Sequence, residues 1–217
     1  MTQAAASPDG YEITHWERRN RLDDLAIWLK DFGYRHRATL GYVLIVALTL
    51  GLMIPYVPAM LSPIGIVLTL AAIAPITVVM FLFWRSARGH REPVGLLLKT
   101  FLLGASFAVV AALVNTQLGY LPDVVKYLLV VGPGEEVVKL AAVYVLAFHR
   151  RDFDRPVDGI YYGVAAGAGF AALENIMYVF NAGFTGGFGA AMQTAIVRAL
   201  VSTPGHAIWT GFAGYYL

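Results

Sequence analysis

The sequence predicts an all-α fold, a polytopic transmembrane helical bundle preceded by a cytoplasmic arm that carries an amphipathic helix. Three observations predict it. Hydrophobic residues make up 58% of the 217-residue chain and charged residues only 14%, against about 25% charged in soluble domains. Mean hydropathy is +0.63, too high for a chain that must cover a globule with polar surface. Several apolar runs reach or approach the ~18 residues that cross a bilayer as a helix. The formal net charge of +2 is too small to argue for nucleic acid as a partner. The absence of cysteine excludes disulfides, thiolate metal sites and cysteine nucleophiles. Any metal would therefore be held by His, Asp or Glu.

Residues 1–37 form the arm. The first ten are small and polar, without the apolar core of a signal peptide. Thr14-His15-Trp16-Glu17 has the spacing of a capping box. Leu22, Leu25, Leu29 and Phe32 then recur at helical spacing, and Gly33 can end the helix. Residues 15–32 are expected to lie on the membrane surface or to dock a partner.

Residues 38–217 form the bundle. The expected spans are 38–57, closed by Pro55 and Pro58, then 64–84, 94–118, 124–148 and 159–180. Residues 189–201 are short for a span and contain Arg198, while 207–217 open an apolar helix that the chain does not complete, as in a truncated protein. Of 16 Lys and Arg, six lie in 1–37, three in 85–91 and three in 150–155, while 55–63, 119–123 and 181–188 have none. By the positive-inside rule the N-terminus and the 85–93 and 149–158 loops are cytoplasmic. The chain is expected to be an integral membrane protein.

Chemistry should reside in the polar groups that do not belong in hydrocarbon. Glu135, Glu136, Lys139 and Glu174 fall within spans, and Arg198 and His206 follow. An ionised side chain at mid-bilayer costs about 2.5–3.5 kcal/mol, so four would cost on the order of 10–14 kcal/mol unpaired. They must pair or face water. Glu135 and Lys139 are i and i+4 on one helical face, whereas Glu136 points about 100° away. Gly132-Pro133-Gly134 should interrupt that helix just before them. Two adjacent carboxylates resist ionising together, and a carboxylate beside a carboxylic acid is an acid–base pair. Glu174, Asn175 and Tyr178 follow a Gly/Ala-rich stretch in which Gly163 and Gly167 permit close helix approach, and Glu174 is a third carboxylate for the same site. Ser202-Thr203-Pro204 reads as a helix start with His206 in its first turn. These parts suit activation of water by a general base or a carboxylate–imidazole metal site. No His-Glu-x-x-His signature, no Gly-x-Ser-x-Gly elbow and no intraspan Asp is present.

Together, Glu135-Glu136-Val137-Val138-Lys139, Asp158-Gly159-Ile160-Tyr161-Tyr162-Gly163, the run from Gly167 to Tyr178, Arg198 and His206 resemble the PrsW-type intramembrane proteases, distant relatives of the CAAX-processing and Abi proteins. The resemblance covers about 130–217. It implies an intramembrane endopeptidase acting on a membrane-embedded or juxtamembrane protein, an anti-sigma factor in the best-known members. It makes Glu135 and Glu136 the essential carboxylates, with Glu174 and His206 supporting them. In the mechanism expected here one of the paired Glu residues is the base, His206 aids the water or the oxyanion, Asn175 is an oxyanion donor, and Lys139, Arg198 and Tyr178 support the carboxylates. If zinc is bound, Glu136, Glu174 and His206 are the expected ligands. A metal-independent glutamic mechanism is favoured, because three carboxylates with one imidazole and a neighbouring Lys139 make a poor zinc set. The rival readings are a proton- or cation-coupled transporter, which the missing internal repeat disfavours, and a non-catalytic immunity or assembly protein. The oligomeric state is left open.

Overall fold

A computed structural model describes residues 37–86, 92–150 and 153–217. The expected amphipathic helix at 15–32 and most of the basic 85–91 segment lie outside the described residues. The described residues contain helices and no strand. Residues 45–217 form one compact unit, and the packing below is that of this unit.

Helix α1 (Arg37–Met60) runs a few residues past the expected stop at 57. Pro55 and Pro58 do not end it, because each opens a short helical piece, Ile54–Tyr56 and then Val57–Met60. A proline in a first turn gives up an amide that had no partner to lose. Helix α2 is Pro63–Ser86 and α3 is Val94–Thr116. Helix α4 (123–148) has a regular centre, Gly132–Val143, between two wide π turns, Lys126–Val131 and Tyr144–Phe148. The expected interruption at Gly132-Pro133-Gly134 is therefore a widened turn upstream rather than open backbone. A π turn re-pairs carbonyls without exposing them.

The largest departure from expectation lies after residue 180. Helix runs from Pro156 to Val197, broken only at Gly187. Gly187 has φ +76° and ψ −173°, a conformation reserved for residues without a Cβ. It folds the chain back, giving α5 (156–186) and α6 (188–215). Helix α6 passes through a π turn at Arg198–Ser202 into Thr203–Tyr215. The expected loop at 181–188 thus contracts to one residue, and the segments at 189–201 and 207–217 join into one helix. Ser202, which precedes that last stretch, makes no side-chain capping bond. Pro204, which cannot donate to the preceding turn, follows the wide turn instead.

Among the described residues, four helical runs are long and apolar enough to cross a membrane: α1, α2, α3 and the combined run Pro156–Tyr215. Helix α4, divided by its wide turns and carrying Glu135, Glu136 and Lys139, is not among them. Helix α5 is the buried centre. Tyr162, Ala165, Ala166, Ala168, Phe170 and Ala171 are all fully inaccessible. Lipid tails are as apolar as Leu, so close packing rather than exclusion of water must hold this centre together. Glycine supplies it. A Cβ at Gly163 or Gly167 would collide with the backbone carbonyl of Thr210 or His206 on α6. On the opposite side, Gly104 of α3 meets the Ala166 carbonyl. Leu68 and Ala72 of α2 complete the packing against Val179, Phe180, Ala191 and Ala195.

Candidate active site

Helices α3, α4, α5 and α6 each contribute to one polar centre. On α4, Glu135 lies twelve residues beyond Asp123, or ~18 Å along a helix. The Glu-Glu-x-x-Lys spacing puts Lys139 beneath both carboxylates. Its ammonium donates to Glu136 Oε1 at 2.8 Å and pairs with Glu135 Oε2 at 3.6 Å. Its third hydrogen reaches His206 Nδ1 of α6 at 2.7 Å. The Phe170 ring of α5 lies 4.3 Å from the Lys139 Nζ and 5.4 Å from the imidazole, a cation–π floor under the pair. Lys139 is 1% exposed.

On α5, Glu174 Oε2 is held by Arg198 Nη2 at 2.6 Å and faces His206 Nε2 at 3.0 Å. Arg198 is steadied twice more, by Asn175 Oδ1 accepting from its Nε at 2.6 Å and by the Tyr178 ring at 4.3 Å. Asn175 is itself buried, its amide hydrogens donated to the Ala72 carbonyl and Thr203 Oγ1. The expected role of Asn175 as an oxyanion donor does not fit this arrangement, since both hydrogens are engaged away from the centre.

The grouping differs from the expected ligand set in one residue. Glu135, Glu174 and His206 each place a donor atom within 4.8 Å of the other two. Glu136, expected in that set, instead accepts from Lys139 and from Thr210 Oγ1 at 2.8 Å. The reason is angular: adjacent residues on a helix point about 100° apart, so only one of the two Glu residues can face α5. Glu135 has the weaker partners, Asn115 Nδ2 at 3.3 Å and the distant Lys139. Three carboxylates against Lys139 and Arg198 leave the centre with one net negative charge if the imidazole is neutral. Glu135, Glu174, Arg198 and His206 keep 12–13% side-chain exposure, so the centre is enclosed but not sealed.

Three residues escaped the sequence reading. Asn115 had a signal, an amide near the end of an apolar span. Thr210 had one too, four residues after His206 and on its face. Thr203, read only as part of a helix start, is a partner of Asn175. A second polar cluster lies at the start of α5. There Asp158, fully buried, accepts from Arg155 Nη2 at 2.7 Å, and Tyr162 donates to Glu92 Oε2 at 2.7 Å. The sequence placed Asp158 in a loop. The helix begins at Pro156, so an Asp does lie within the helical run, as its N3 capping residue rather than in the polar centre.

No solved structure matches this chain. Residues 92–217, which hold every side chain of the polar centre, match the family described as PrsW family intramembrane metalloprotease. A protein named Protease PrsW from Clostridioides difficile (strain 630) is 34% identical over 157 residues, 69% of this chain and 64% of that one. Namesakes from Halalkalibacterium halodurans and Bacillus subtilis (strain 168) are 31% and 30% identical, each over 68% of this chain and 66% of theirs. The chain thus spans about two thirds of the length of these relatives. With the family pattern running through more than half of the chain and across α3, α4, α5 and α6 alike, the protein belongs to the PrsW family.

Proposed function

We propose that the chain is an intramembrane endopeptidase that hydrolyses a peptide bond of a membrane-tethered protein, with Glu135 as the base. Relatives named as proteases support the reaction class; an anti-sigma factor is the substrate class that the family resemblance implies. One observation carries the choice of base. Glu135 lies within 4.8 Å of Glu174 and His206, yet it alone of the three Glu residues lacks a hydrogen bond as short as 3.0 Å. Its lone pairs are the ones left for a water between the three groups.

In this reading Glu135 takes a proton from that water as the hydroxide oxygen adds to the carbonyl carbon. The C–N bond then breaks as the same proton passes to the departing amine nitrogen, leaving a carboxylic acid and restoring Glu135. Lys139 sets the state of His206. An ammonium has donors only, so Nδ1 must accept, and Nε2 therefore carries the ring's hydrogen. Nε2–H then donates to Glu174 Oε2 at 3.0 Å, which fixes the ring at the edge of the reaction space. Arg198 pairs with Glu174 at 2.6 Å and offsets its charge beside Glu135.

The family description implies a metal, and the spacing of Glu135, Glu174 and His206 would suit one. The chemistry of the ring does not. A metal-bound imidazole ordinarily gives its second N–H to an acceptor, whereas the second nitrogen of His206 meets a donor. With Nδ1 accepting from Lys139, Nε2 has no lone pair for a cation. The set does not fit a metal, and no step is assigned to one. Purified protein should cleave a membrane-tethered reporter in the presence of chelator, and Glu135→Gln should abolish cleavage by about 10²–10⁴-fold while inserting normally. Wild-type cleavage by Glu135→Gln would refute the role of the base. Stoichiometric zinc, lost with activity and restored with it, would refute the metal-free mechanism.

A further inference from the structure

Tyr178 lines two hollows, one of which also reaches Arg198 of the polar centre. One cavity, of about 370 Å³, is lined by Tyr56, Ala112, Met177, Tyr178, Asn181 and Phe184. The other, of about 350 Å³, is lined by Tyr178, Gln193, Thr194, Val197 and Arg198. The first carries the rings of Tyr56, Tyr178 and Phe184 and the Met177 side chain, with Asn181 as its amide. The second collects Gln193, Thr194 and Arg198, although Gln193 is exposed and lies within a run apolar enough to cross a membrane.

Both hollows are tied to the reactive groups by short helical intervals. Tyr178 is one turn beyond Glu174 on the same face of α5 and rests on Arg198, which holds Glu174. Ala112 is one turn before Asn115, which donates to Glu135. One turn of helix is ~5.4 Å, about the distance from a peptide carbonyl to the end of a neighbouring side chain. A substrate strand must also satisfy its own amides once it leaves its helix, and a side-chain amide and a hydroxyl can do so. Room for a bulky apolar group in one hollow and hydrogen-bonding groups in the other match the two needs of an unwound peptide.

Resting on the protease reading above, we infer that the Tyr56/Ala112/Phe184 cavity is the specificity pocket. It takes a large apolar side chain (Phe, Leu or Trp) from a residue flanking the scissile bond, while the substrate backbone runs past Tyr178 along Gln193 and Thr194. Tyr178 is a positioning residue, fixing Arg198 and lining both hollows.

The test uses the full chain in proteoliposomes and reporters that differ only in the residue flanking the cleaved bond. The unaltered protein should cleave the Phe reporter over the Ala reporter by on the order of tenfold or more, a ratio typical of filling an apolar pocket. Ala112→Phe, which fills the cavity, should abolish that ratio mainly through KM. Phe184→Ala, which enlarges the cavity, should move the preference from Leu towards Trp. Leu98→Phe, fourteen residues from Ala112 along α3 and so ~21 Å away from it, should leave the ratio unchanged. Unchanged ratios in both pocket variants, or no preference in the unaltered protein, overturn the pocket while leaving the protease reading intact. Absence of any cleavage by the unaltered protein overturns the protease reading itself.

Discussion

Lys139 sits 1% exposed, with its ammonium directed at Glu136, at His206 and, more distantly, at Glu135. Removing it would leave Glu135, 12% exposed, and Glu136, 28% exposed, without their shared cation; losing one partner of a fully buried pair costs about 3–5 kcal/mol, and the partial exposure of these carboxylates lowers that figure. Lys139→Met should therefore lower the unfolding temperature in detergent and abolish cleavage. Adding Glu136→Gln to it removes one stranded charge and should recover stability without activity. A single variant as stable as the unaltered protein would show that the pairing carries no such load. The sequence made this pairing legible, because i, i+3 and i+4 relations within α4 are fixed by helix geometry. It could not say which Glu faces α5, since that depends on how α4 is rotated against its neighbours. For that reason the sequence expected Glu136 beside Glu174 and His206, where the structure groups Glu135 with them. The surroundings of Asn175 were hidden similarly, because an amide beside a Glu reveals nothing of the Ala72 carbonyl and Thr203 that occupy it.

At the scale of elements, the site depends on how closely α5 and α6 approach. Gly167 lies against the carbonyl of His206 itself, so any side chain there pushes the imidazole away from Glu174, 3.0 Å distant in the structure. Gly167→Val should abolish cleavage, and purified protein should show a larger loss of activity than of helical content by circular dichroism. Gly189, where an added methyl group would meet nothing within 4 Å, is the comparison: Gly189→Ala should retain cleavage and gain up to about 1 kcal/mol from helix propensity. Equal activity of both variants would mean that the approach of α6 is not what sets His206. The small-residue pattern of α5 was readable as a packing stripe. Its partner was not, because α6 looked like two unrelated fragments until Gly187 turned the chain back.

For the whole molecule, the alternation of basic and uncharged connections predicts which ends of the helices share a side of the membrane. Ser86 ends α2, Gly119 follows α3, and Thr185 precedes the Gly187 turn; all three are exposed. The chain has no cysteine of its own. Single cysteines at Gly119 and Thr185 should react with an impermeant thiol reagent on intact cells, and one at Ser86 should react only after lysis. Labelling at Ser86 on intact cells would reverse the orientation. By itself the sequence determined the helical class, most of the spans, and the identity of the charged groups that must meet, because hydropathy and the expense of charge in hydrocarbon are local properties of the chain. Only the tertiary structure decided that Glu135 rather than Glu136 joins Glu174 and His206, that Lys139 faces the imidazole, and that Asn115 and Thr210 complete the centre. Those are contacts between helices, set by rotation and closeness of approach, which no periodicity within a single helix encodes.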